Sequence, residues 1–139
     1  MRLVADANIL VSALIARTSL PAHLITLWRE GWFEMLTSAE QLDELMQVTR
    51  YPRIRERLAP PLAGRLINDL RKMAIVVRDL PTVTICPDPF DNYLLAMAGV
   101  GAANFLVTGD KRDLLGIRLC EGIRITTVRE FLALHGRLP

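Results

Sequence analysis

Apolar residues fall along this chain in two alternating rhythms, short continuous runs and stripes spaced by three and four. "RLVA" (2–5) is a run, predicting a buried strand, and an apolar helix follows from about Asn8 to Ala16. "PAHLITLWREG" (21–31) carries Leu24, Leu27 and Trp28 at helical spacing and stops at Gly31. "WFEML" (32–36) predicts a second strand. Ser38 with Gln41 three residues on fits a capping box, opening a helix striped by Leu42, Leu45, Met46 and Thr49 that Pro52 ends. A basic stretch leads to a Pro-started helix near 60–73 with Leu62, Leu66, Ile67 and Leu70. "AIVVR" (74–78) predicts a third strand and "VTI" (83–85) a short extended piece or loop. A helix from Phe90 or Asp91 to Ala98, ending at Gly99 or Gly101, precedes "NFLVTG" (104–109), the fourth strand. "IRIT" (123–126) is the fifth, and Thr127 with Glu130 caps a last helix.

Strands alternating with helices imply an α/β fold, a parallel sheet of about four to five strands with helices on both faces. With 139 residues the chain forms one domain, 1–139, with a sizeable core. Its 51% apolar and 23% charged residues are those of a globular protein.

No apolar run approaches the ~20 residues that span a bilayer. The first run breaks at Asp6, unlike a secretory leader, so the expectation is a soluble cytoplasmic protein without a membrane partner. Cys86 and Cys120 make no metal-spacing motif and read as buried free thiols; His23 and His135 are isolated, which leaves zinc chemistry without ligands. Neither a G-x-G-x-x-G nor a G-x-x-x-x-G-K-[ST] loop is present, and Ser12, Ser19 and Ser38 have no His arranged for a triad.

The net charge of +2 conceals a concentration of cations. Between Arg50 and Lys72 stand seven basic residues against Glu56 and Asp69 alone, and arginine outnumbers lysine 15 to 2 in the chain. Guanidinium forks match phosphate geometry, although a solvated helical face explains the same pattern.

The acids are more informative. Ligands of an open parallel sheet sit beyond the carboxyl ends of its strands. Asp6 follows the first strand directly, and Asp110 and Asp113 follow the fourth. Asp91 shares a helical stripe with Leu94, Leu95 and Ala98 and sits in the first turn, where the helix dipole favours an anion. Glu44 lies at the margin of its stripe with Glu40 one turn back, so its helix must lean across the site, and Glu40 is an alternative to it. Converging carboxylates repel unless a cation intervenes, and Mg²⁺ or Mn²⁺ is the natural partner of carboxylate oxygen.

"VADANILVSAL", "SAEQLDELMQVTRYPRI", "PDPFDNYLLAMAG" and "FLVTGDKRDLL", in this order, resemble the PIN-domain family, most closely the toxin components of bacterial type II toxin–antitoxin systems. "GIRITTVREFL" is similar to the family's last strand and helix. The resemblance implies a metal-dependent ribonuclease in which Asp6, Glu44, Asp91 and Asp110 are the catalytic, metal-holding acids. It implies supporting roles for Asn8 and Thr108, and for Asp88 and Asp113 as substitute ligands or neighbours of the ligands. Phe90 stands where related sequences often carry a further acid. A cognate antitoxin covering the acidic groove and a homodimer are implied as well.

The expected chemistry is in-line hydrolysis of an RNA phosphodiester assisted by one or two Mg²⁺ or Mn²⁺ ions. Arg17, Arg50, Arg53, Arg55, Arg57 and Lys111 are the expected contacts to the RNA backbone. Trp28, Trp32 and Phe33 supply either a partner surface or core, with core expected for at least two of them. Two other functions use parts of the same pattern: a metal-dependent phosphoesterase for small phosphate esters, and a non-catalytic RNA-binding module that needs the arginines but not four acids.

Overall fold

The computed structural model describes residues 1–82, 89–109, 119–120 and 122–139. Strand β1 (Arg2–Ala5) leads through α1 (Ala7–Ile15) and α2 (Leu20–Arg29) to β2 (Glu34–Ser38). Next come α3 (Ala39–Val48), the short α4 (Pro52–Arg55), α5 (Pro60–Met73) and β3 (Ile75–Val77). The remaining described elements are α6 (Pro89–Val100), β4 (Phe105–Val107), β5 (Leu119–Cys120), β6 (Ile123–Thr126) and α7 (Val128–Leu134).

The strands lie in the order β3-β2-β1-β4-β6-β5. Five are mutually parallel, and β5 is an antiparallel edge on β6. The sheet thus has one strand more than the four or five expected. At two residues, β5 is too short to leave a periodic signal.

From β1 the chain steps outward to β2 and β3, then returns through α6 to place β4 on the other side of β1. The order of travel therefore reverses between β1 and β4. A crevice opens at such a switch point beyond the carboxyl ends of the strands, and Asp6 follows β1 there.

Residues alternate between two cores, as strand geometry requires. Leu3, Ala5, Met35, Phe105 and Val107 face α1, α2, α3, α5 and α7. Val4, Leu36, Leu106 and Ile125 face α6, which covers the other side with Leu94, Leu95, Met97 and Ala98. Both faces being covered explains why the strands read as unbroken apolar runs.

The second strand begins two residues later than expected. Gly31 ends α2 in a left-handed conformation (φ 87°), donating to Trp28 O, while the Trp32 amide donates to Leu27 O. This double capping bond is a Schellman motif. It spends the Trp32 N–H on the helix, so pairing with β1 starts at Glu34. α2 itself starts at Leu20, with the Ser19 hydroxyl capping the Ala22 amide. The unassigned basic stretch contains α4, begun by Pro52. The expected piece at 83–85 lies outside the described residues.

Trp28 and Phe33 are core, and Trp32 is 52% exposed beneath the Arg137 guanidinium, 3.5 Å from the ring centroid. His23 and His135 each bond a backbone carbonyl, those of Arg137 and Phe131, both at 2.8 Å. No single helix among the described residues is long and apolar enough to cross a membrane.

Candidate active site

Asp6 ends β1 and caps α1 at once. Its backbone N–H donates to Val107 O, continuing the sheet, while its carbonyl accepts from Ile9 and Leu10, starting the helix. Asp6 is 8% exposed, and its carboxylate accepts a bond on each oxygen: the Asn8 amide to Oδ1 at 3.0 Å and the Thr108 hydroxyl to Oδ2 at 2.9 Å. Two donors and the positive end of α1 offset the cost of burying this charge. Thr108 follows β4 and is itself held by its backbone N–H on Thr126 O. Asn8 and Thr108 thus both bond Asp6, Asn8 through its backbone; its side chain is exposed.

α3 brings the second acid. Ser38 caps it by accepting from the Gln41 amide, as the capping box requires. The reciprocal half is corrected by the structure, because the Gln41 side chain is buried elsewhere. Its amide donates to Ala5 O at 2.7 Å and its carbonyl accepts from the Thr37 hydroxyl at 2.8 Å, clamping the ends of β1 and β2.

Glu44 reaches α6, where the Tyr93 hydroxyl donates to its Oε2. Glu40 is exposed on the same flank of α3 and does not make this bond. Burial first, then the Glu44 bond and the charges of Glu44, Asp6 and Glu40, push the Tyr93 phenol far above its ordinary range. Asp6 and Glu44, on different elements, therefore act on one hydroxyl. Tyr93 is a site residue that the apolar stripe of α6 concealed. Its signal was a polar handle on a helix otherwise bound for the core, since buried tyrosines find a partner. Asn92, beside it, is buried.

α6 carries Asp91 in its first turn, as expected, and begins at Pro89. The Asp91 side chain lies outside the described residues, as do Asp88, Asp110, Lys111 and Asp113. The described chain delivers Thr108 and Gly109 immediately before Asp110.

The expected RNA contacts separate in space. Arg17 lies past the far end of α1, about 14 Å of helix from Asp6 at ~1.5 Å per residue. Arg50 and Arg55 line a cleft with Arg71, whereas Arg53 and Arg57 are exposed but do not line it.

A family model described as a PIN domain matches residues 2–112, from the start of β1 to beyond β4. This chain belongs to the PIN-domain family. The PIN domain is a nuclease family, and the crevice at its switch point is the place for such chemistry. No curated protein and no solved structure matches the chain. In this PIN domain β6 and α7 lie beyond the matched residues; they pack on β4 and α2 as integral parts of the same fold.

PIN domains typically use divalent metals, and the donors here are of the right kind: hard carboxylate oxygens on Asp6 and Glu44, held by Thr108 and Tyr93. Among the described residues no three carboxylate, histidine or cysteine groups gather as a metal-binding set. Asp6 and Glu44 thus have the donor chemistry that a divalent cation takes.

Proposed function

We propose that this protein is a ribonuclease dependent on Mg²⁺ or Mn²⁺, acting on unpaired RNA and serving as the toxin of a toxin–antitoxin pair. The observation that supports this reading most is the half-buried Tyr93 hydroxyl bonded to Glu44, with the charge of Asp6 acting on the same phenol, at the switch point of a PIN domain. Asp91 and Asp110 complete the acidic set in this reading, with Asp88 or Asp113 beside it. A divalent cation, when bound, acidifies a water and neutralises the scissile phosphate. Thr108 and the Asn8 amide hold the Asp6 carboxylate in place, and Tyr93 orients that of Glu44. The exposed arginines of α4 and its flanks position the RNA backbone. A cognate antitoxin covers the acidic groove, and the protein works as a homodimer in the cytoplasm.

The test is cleavage of a mixed single-stranded RNA pool by purified protein in Mg²⁺, Mn²⁺ or EDTA, beside Asp6→Asn and Glu44→Gln. Cutting that needs metal and is lost in both variants supports the reading. Turnover of small phosphate esters with RNA spared moves the function to a phosphoesterase. Salt-sensitive RNA binding without cleavage moves it to a binding module.

A further inference from the structure

A cleft of about 310 Å³ opens between α3, α4 and α5, and three arginines line it: Arg50, Arg55 and Arg71. No carboxylate lines it, and among the described residues none of the three pairs with an acid; the ion pairs there are Arg2–Glu34 and Arg29–Asp69. Among the described residues, Arg71 makes a long contact from Nη2 to Met46 Sδ, 3.9 Å. Three like charges facing one hollow repel each other and raise the local concentration of anions. The walls between them include Met46 and Ile67, which are apolar.

Gly64 is a second, independent observation. It lies inside α5 and lines the cleft, and a Cβ built on it meets nothing within 4 Å. Glycine inside a helix costs roughly 0.5–1 kcal/mol relative to alanine. Nothing in the packing calls for one here; what its absent side chain leaves is room in the cleft.

The cleft is also separate from the acids. At ~100° per residue Met46 lies on the side of α3 opposite Glu44, and Thr49 and Arg50 follow the end of that helix; neither Glu40 nor Glu44 lines the cleft.

We propose that this cleft is a second binding site that takes one nucleotide, its phosphate among Arg50, Arg55 and Arg71 and its ring system against Met46 and Ile67, without a metal. Arginine forks suit the phosphate, and the thioether and aliphatic walls suit a flat ring. The volume is at the small end of the ~300–1,000 Å³ of small-molecule sites, which favours a compact ligand over a peptide with dispersed carboxylates. The nucleotide comes from either of two sources, a free nucleotide or one unpaired residue of an RNA strand.

The experiment is titration of the full chain in EDTA with adenosine 5′-monophosphate, inorganic phosphate, adenosine and a fluorescein-labelled single-stranded RNA octamer. Calorimetry reads the small ligands and anisotropy the octamer. The variants are Arg71→Gln, which removes one cation, and Gly64→Leu, which fills the hollow and leaves every charge in place. Gly64→Leu suits the helix, and circular dichroism checks both folds. The expected result is saturable monophosphate binding, stronger than that of phosphate or adenosine, weakened at least tenfold by either variant and unchanged by Asp6→Asn. Octamer binding tighter than monophosphate and weakened by the same variants assigns an RNA strand as the source; octamer binding no tighter assigns a free nucleotide. Absence of saturable binding, binding indifferent to both variants, or binding of an acidic peptide in place of the monophosphate overturns the proposal. All readouts are in EDTA, so they stand or fall apart from RNA cleavage.

Discussion

The Thr108 hydroxyl donates to Asp6 Oδ2 at 2.9 Å, joining residues 102 apart in sequence across the reversal point of the sheet. A hydrogen bond to a buried carboxylate is worth more than one between neutral groups. Thr108→Val keeps the shape and removes the donor. We expect it to lower stability by about 1–3 kcal/mol in urea unfolding, with Thr108→Ser recovering most of the loss. A loss in Thr108→Ser as large as in Thr108→Val would assign the effect to packing around the methyl group.

Tyr93 gives a pH dependence whose sign is fixed. Its phenol titrates higher in the folded protein than the ordinary ~10 of the unfolded chain. Its contribution to stability is therefore complete below that ordinary value and is lost as pH rises above it. In metal-free Tyr51→Phe protein, where Tyr93 is the remaining tyrosine, tyrosinate absorbance should stay absent in alkali until denaturant unfolds the chain. Tyr93→Phe should flatten the alkaline fall in stability. A tyrosinate signal rising in the folded protein at the pH of a free phenol refutes this account.

Gly101 tests the seat of α6. A Cβ there would collide with Leu36 Cδ1 and come within 3.0 Å of Met97 O and 3.1 Å of Val77 Cγ2. Arg2 Nη1 also donates to the Gly101 carbonyl at 2.9 Å, which holds the backbone against retreat. Gly101→Ala, just past the end of α6, should therefore destabilise by about 1–3 kcal/mol, as overpacking does. Thermal unfolding checks it, with Gly64→Ala as the open-space comparison, expected to be neutral or stabilising.

The sequence carries those features that depend on near neighbours. Asp6 is legible because it interrupts a buried run, and the α/β order because periods change where elements change. The start of β2 is hidden because the left-handed Gly31 cap takes the Trp32 amide, which no hydrophobic pattern reports. Tyr93 goes unremarked in the sequence because its partner, Glu44, stands 49 residues away on α3. Gln41 reads as a cap, and only the pairing of β1 beside β2 gives its amide the Ala5 carbonyl. Arg71 is one cation among several until α5 sets it beside Arg50 and Arg55.

The sheet ends at both rims in short strands, three residues in β3 and two in β5. A rim that short offers a foreign strand few unpaired backbone groups on which to add, and so gives edge-to-edge aggregation little template.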